Sequence, residues 1–259
     1  MFGAAFATGL APLMSMAVLS VHFIKKRATF RPVRTHLRRR LMGHIAALGF
    51  SSFVVELSGG LVLLVLNLII LAFEGNIGVA AYGVVANFAF VANALFVGIA
   101  QGIQPLASNA YARGDGRDLR TVLRLALLTA LAIAAVVYAV VALCAEPLAL
   151  AFNRDNDPQL TALAVDGMRV YFLGYFFAGA NIVAAAFFSA VEKPGRGLAI
   201  SITRGFVAML AFAAALAALF GMAGVWATFP AAETATFVLT GAFIAQFVRG
   251  RTRRVQVAS

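Results

Sequence analysis

Residues 46–73 read AALGFSSFVVELSGGLVLLVLNLIILAF, a run in which Glu56 is the one ionisable side chain. A helix needs ~20 mostly apolar residues to cross a hydrocarbon core of about 30 Å, and this run exceeds that length. Its apolar residues are continuous and not alternating, which predicts a helix and not a barrel strand. Comparable runs recur at 3–24, 78–104, 121–145, 168–191, 198–220 and 225–247. Between them stand breaker or turn residues: Lys25-Lys26-Arg27, Glu74-Gly75-Asn76, Gly114-Asp115-Gly116, Asn153 to Pro158, Lys193-Pro194-Gly195 and Gly221 to Gly224. The expectation is an all-α polytopic bundle of about seven transmembrane helices.

Composition agrees. Hydrophobic residues make up 62% of the 259-residue chain, charged residues 12%, and the mean hydropathy is +0.92. A soluble domain carries about 25% charged residues, so lipid is the main solvent here. The single cysteine, Cys144, leaves no intrachain disulfide.

The net charge of +11 would suit a nucleic-acid partner, but its distribution excludes one. Eight of the basic residues lie at 25–42, four at 113–124, Lys193 and Arg196 after the fifth span, and four at 249–254. Those eighteen of the twenty-one fall on one side of the predicted topology, which the positive-inside rule makes cytoplasmic. The expected site is a cell (inner) membrane, with the C-terminus inside and Met1 outside. The basic 25–42 connection is suited to anionic lipid headgroups. Met1 has no basic n-region or cleavage site behind it, so the first span does not read as a signal peptide. An N-terminus outside is explained if the chain begins mid-protein, with an upstream lobe missing.

Ionisable groups inside a membrane cost about 2.5–3.5 kcal/mol or more each, so each one is a candidate site. Glu56 shares a stripe of the second span with Ser52, Gly60, Asn67 and Glu74. It is the first candidate for a proton or cation group, including a transient Na+, against the alternative of a buried structural carboxyl. Glu233, three residues after Pro230, is the second; Thr236 and Thr240 continue its face. Tyr82, Asn93 and Gln104 share a face of the third span, with Gln101 beside it and Pro105 following. These amides serve either as interhelical glue or as a cavity lining. Asn181 lies on a small-residue side of the fifth span with Tyr171, Gly174, Ala178, Ala185 and Ser189, a pattern that favours close packing. Arg204 enters the sixth span at a depth similar to that of Glu56. It either snorkels to the interface or pairs with Glu56.

Enzyme chemistry finds no footing. His22, His36 and His44 do not converge in sequence, and there is no HExxH, CxxC, GxSxG or phosphate loop. No cofactor is expected beyond a coupling ion, Na+ or H+.

The run VAAYGVVANFAFVANALFVGIAQGIQPLASNAYARG at 79–114 resembles the multidrug and toxic compound extrusion (MATE) transporters. GFSSFVVELSGGLVLLVLN (49–67) resembles their seventh helix, 171–205 their tenth helix and entry to the eleventh, and GVWATFPAAE (224–233) the start of the twelfth. Residues 3–24 look like the sixth. The resemblance implies two six-helix lobes, with this chain supplying the last helix of a missing N-terminal lobe (1–24), a cytoplasmic connection (25–42), a six-helix C-terminal lobe (43–247) and a basic tail (248–259). It implies export of drugs, organic cations or amphiphiles in exchange for Na+ or H+, by alternating access between lobes. Glu56 matches the acidic position of the seventh helix, whereas the acidic residue of the tenth has no counterpart and Asn181 is the nearest polar substitute. Two alternatives stand beside this: flipping of a lipid-linked saccharide, which would want a cationic cavity, and a truncated, non-transporting protein that needs a partner lobe.

Overall fold

The computed structural model describes the backbone of residues 2–24, 39–153 and 156–258. Side chains are described for only a few residues before 59, and for none after 249; Glu56 and the 25–38 part of the basic connection lie outside the described residues. The chain divides into two units, Met1–Gly49 and Phe50–Ser259. The first holds α1 (Phe2–Ile24), which runs through Pro12, and the first residues of α2.

The second unit is helical among its described residues, and it reads as a multi-pass membrane bundle. It comprises the part of α2 (Arg39–Ala112) from Phe50 onward, α3 (Gly116–Phe152), α4 (Pro158–Tyr171), α5 (Tyr175–Ala190), α6 (Pro194–Ile202) and α7 (Ala208–Ala258). A 3₁₀ turn, Phe172–Gly174, welds α4 to α5, and a π-helical turn, Thr203–Val207, welds α6 to α7. Among the described residues, four stretches are long and apolar enough to cross a membrane: Gly59–Ala112, Gly116–Phe152, Pro158–Ala190 and Pro194–Arg249.

The first and last of these are too long for one crossing, and each turns back at a single glycine. Gly75 has φ 61° and ψ −151°, Gly221 φ 58° and ψ −133°. That region is essentially closed to residues with a Cβ. The neighbourhood proves the reversal. A Cβ on Gly224 would strike the Leu216 carbonyl, and one on Gly78 would lie 3.0 Å from Ile70 Cγ2. Residues eight apart in a straight helix are about 12 Å apart. Both are therefore helical hairpins with one-residue corners, placed inside the breaks expected at 74–76 and 221–224.

The α2–α3 turn shows how short polar residues end and restart helices. Gly114, at φ 73°, closes α2 with Gly114 N–H to Tyr111 O and Asp115 N–H to Ala110 O, both 3.0 Å, the Schellman pairing. Asp115 then caps α3, its Oδ1 accepting from the N–H groups of Arg117 (2.9 Å) and Asp118 (3.0 Å). The Asp118 N–H is the main reason the Asp115 carboxyl titrates below the usual carboxylate range. Partial desolvation opposes it; the Arg117 N–H and the Arg113 and Arg117 charges reinforce it. A depressed carboxylate stabilises the fold above the usual range and loses that effect as pH falls through its lowered value. Asp115→Ala should therefore lower the unfolding temperature by about a few degrees at neutral pH, and by progressively less in acid. Asp115→Asn, itself a good cap, should stay near the native value; thermal scans across pH check both.

Elsewhere the boundaries differ from expectation. The fifth span begins at Pro158 and not at 168, because Asp157 caps α4 through the N–H groups of Gln159 and Leu160 and Pro158 fills its first position. α3 runs on to Phe152 through a kink at Cys144 (φ −110°, ψ 17°), where Pro147 can offer no N–H to Leu143 O. Tight packing is set by glycines that admit rings: Gly167 against Trp226, Gly174 against Phe229 and Gly179 against Phe96. At the basic end, Arg196 ties α6 to α7, donating to Phe243 O and Gln246 Oε1, each at 3.2 Å, and lying over the rings of Phe188 and Phe243.

Candidate functional site: a buried ion pair across the α6–α7 hairpin

Glu233 sits on the second arm of α7, fully buried, one turn beyond Pro230. Its Oε1 accepts from Arg204 Nη2 at 2.5 Å, and its Oε2 from Arg204 Nε at 3.3 Å and Asn181 Nδ2 at 2.8 Å. Asn181 Nδ2 also donates to the Glu233 backbone carbonyl at 3.0 Å, and Asn181 Oδ1 accepts from Thr240 Oγ1 at 2.8 Å. Both donors of the amide are thus used and its oxygen accepts from Thr240, which fixes its orientation. Burying an ion costs several kcal/mol. The planar guanidinium fork, with two parallel donors on one carboxylate, is the arrangement that best offsets it. The Arg204 side chain keeps 21% of its surface exposed, that of Glu233 only 2%. The Glu233 side chain is sealed, and part of the Arg204 side chain is not.

Arg204 reaches this partner because of its length. The contacts of Leu216 with Gly224 and of Arg196 with Phe243 set Arg204 level with about residue 236, so the backbone of Glu233 lies roughly three residues, or about 4–5 Å, deeper. The depth match with Glu56 that suggested a Glu56–Arg204 pair compares backbones alone and overlooks the reach of the side chain. In the structure Arg204 is paired with Glu233; the Glu56 side chain lies outside the described residues. Thr236, on the Glu233 face, returns its hydroxyl to Ala232 O at 2.8 Å and takes no part in the network.

An aromatic seam runs beside the pair. Tyr171 stacks on Phe229 (centroids 4.3 Å apart, 7° between planes), Phe229 meets Tyr175 at 5.2 Å, and Tyr175 stacks on Phe96 at 5.6 Å. The phenols of Tyr171 and Tyr175 lie near enough to feel both charges. Tyr175 donates to Ala89 O at 2.8 Å and accepts from Asn93 Nδ2 at 3.0 Å, which bonds α5 to α2. Tyr82 is buried, stacked against Trp226 at 6.1 Å. Asn67 is half-buried and donates to Leu63 O of its own helix at 2.9 Å. Gln101 and Gln104 are exposed and make no hydrogen bond to any described residue.

The structure therefore brings together Asn181, Arg204 and Glu233, with Thr240, and places Asn93 one aromatic step away. It does not join Asn67, Gln101 or Gln104 to that group. Tyr175 and Phe229 went unnoticed in the sequence because aromatics in an oily span look like ordinary core. The available signal was Gly174 and Gly179, whose missing side chains leave room for rings.

Residues 52–214 match the MatE family. The chain resembles the multidrug export protein MepA of Staphylococcus haemolyticus, 25% identical over 95% of this chain and 53% of that protein. It also resembles MepA of Staphylococcus saprophyticus, 23% identical over 90% and 51%. The fold superposes on the outward-facing conformation of a multidrug resistance MATE family transporter of the MOP superfamily, with a TM-score of 0.84 at 19% identity, over 97% of this chain and 57% of that one. This chain belongs to the MATE family, and it spans about half the length of the curated relatives it matches.

Proposed function

We propose that this chain is the C-terminal half of a MATE-type secondary transporter that exports drugs or organic cations in exchange for Na+ or H+. A lobe supplied by further sequence would complete the cavity, and alternating access would arise between the two lobes in an inner membrane. The basic ends of the helices would face the cytoplasm. The observation that carries this reading is the Glu233–Arg204 pair inside a lipid-solvated bundle, since intramembrane carboxylates at such cost mark ion or substrate paths. The names of its relatives, multidrug export proteins, support the substrate class.

Glu56 and Glu233 are the proposed coupling carboxylates. The family resemblance implies an acid within the tenth helix that this chain lacks, with Asn181 the nearest polar substitute, and here Asn181 Nδ2 holds the Glu233 carboxylate. A carboxylate from α7 thus stands beside this substitute. The saccharide-flipping alternative wants uncompensated cations for a phosphate; Arg204 is neutralised by Glu233, and Arg169 is exposed on the last turn of α4.

The test is efflux of ethidium from cells expressing the chain together with the N-terminal lobe of a relative. Efflux should require a Na+ or proton gradient and fall roughly tenfold or more in Glu56→Gln, about 1.4 kcal/mol in rate terms. Unchanged efflux with unchanged ion dependence removes Glu56 from the mechanism. Absence of gradient-driven efflux from a folded two-lobe assembly overturns the transporter reading.

A further inference from the structure

We propose that Glu233 and Asn181 form a cation site which Arg204 occupies from within, and that Arg204 leaves it when an external monovalent organic cation takes its place. This rests on the exporter reading above and adds regulation to the same site: the carboxylate is never offered empty, and its resting occupant is tethered.

Three features of the geometry point to exchange and not to a fixed brace. The donors on Glu233 are unequal in anchorage. Asn181 is held from its other end by Thr240, so it stays with the carboxylate when the guanidinium goes. Arg204, by contrast, stands on the π-helical turn Thr203–Val207. Such turns are rare, hold one residue more than the α-helix and cluster at functional sites. Relaxation of the turn to α geometry would rotate a side chain by up to about 100° around the axis, enough to withdraw the fork. Finally, the accessibilities differ in the direction exchange requires, with part of the Arg204 side chain exposed and that of Glu233 sealed.

The surroundings suit a replacement. Among the described residues, the charged groups facing the site are Arg204 and Glu233 themselves, and the neighbouring polar groups include the phenols of Tyr171 and Tyr175. A carboxylate beside stacked aromatic rings is the combination that receives alkylammonium ions through charge and cation–π attraction. Phe229 and Tyr171 already form one such stack at 4.3 Å.

Arginine labelling by phenylglyoxal, read peptide by peptide by mass spectrometry on the whole chain in lipid nanodiscs, tests this. The competing probe is tetramethylammonium, which the reagent does not consume. Arg204 should react slowly alone and about fivefold faster or more with saturating probe, while Arg196, tied to Phe243 and Gln246, should not change. In Glu233→Gln, Arg204 should react fast from the outset and ignore the probe. No acceleration in the native chain overturns the proposal, and so does acceleration that persists in Glu233→Gln, because the probe is then acting elsewhere. If Glu233→Gln fails to fold, the native comparison alone decides. A responsive Arg204 without ethidium efflux sinks the exporter reading and leaves the cation site standing; efflux with an unresponsive Arg204 does the reverse.

Discussion

Arg204→Met should lower the stability of the bundle by about 3–5 kcal/mol, and Arg204→Met combined with Glu233→Gln should recover most of that loss. The single change strands an ionised carboxyl that is 1% exposed and leaves it with one neutral donor, Asn181 Nδ2. The double change removes both charges and keeps a side chain that can accept from Asn181, so little desolvation remains uncompensated. Glu233→Gln alone should fall between the two, because the Arg204 side chain is part-exposed and its guanidinium can turn towards a polar boundary. Denaturant midpoints of the four proteins in one detergent provide the cycle. A strong positive coupling is expected; additive single effects would mean that the pair seen between α7 and the π-turn does not hold in the membrane protein.

Gly224→Ala should be as damaging, from one methyl group. A Cβ at 224 meets the Leu216 carbonyl at a separation no real atom tolerates, with Ala217 N at 3.0 Å behind it. Both obstacles are backbone, so neither can swing aside. The arms of the hairpin must spread, which pulls Trp226 from Gly167 and Phe229 from Gly174. A loss of about 1–3 kcal/mol is the ordinary cost of overpacking, and a backbone obstacle puts this site at or above the top of that range. Gly241→Ala, on the same helix with open space around it, is the internal control. It should be neutral or stabilising by about 0.4–1 kcal/mol. Equal stability of the two variants would refute a hairpin corner at Gly221.

The architecture was legible in the sequence because lipid allows so few alternatives. A long apolar run must be a helix, and Gly75 and Gly221 stood within the expected breaks. The start of α4 was less visible. Asp157-Pro158 is a sound capping signal, yet the exposed Asp166 makes the turns before 168 look too polar for a span. The members of the site were legible one at a time: Glu233, Arg204 and Asn181 are each polar in oily surroundings, which is costly enough to stand out. Their partnership was not, because pairing depends on side-chain reach and on which helix faces turn inward. Helical periodicity fixes neither across two different helices. The aromatic seam left almost no trace, since a tyrosine that bonds across helices and one that merely fills space share the same letter.

That both charges ride on one hairpin bears on how this bundle enters the bilayer. Arg204 lies on the arm before Gly221 and Glu233 on the arm after it, with the arms in contact near the corner through Leu216 and Gly224. Delivered one helix at a time, each charge would bring its own insertion penalty of about 2.5–3.5 kcal/mol. Delivered as a closed hairpin, they arrive mutually neutralised. The one-residue corner makes the two arms a single cargo for the insertion machinery, and the salt link reduces the penalty of placing either ion in lipid.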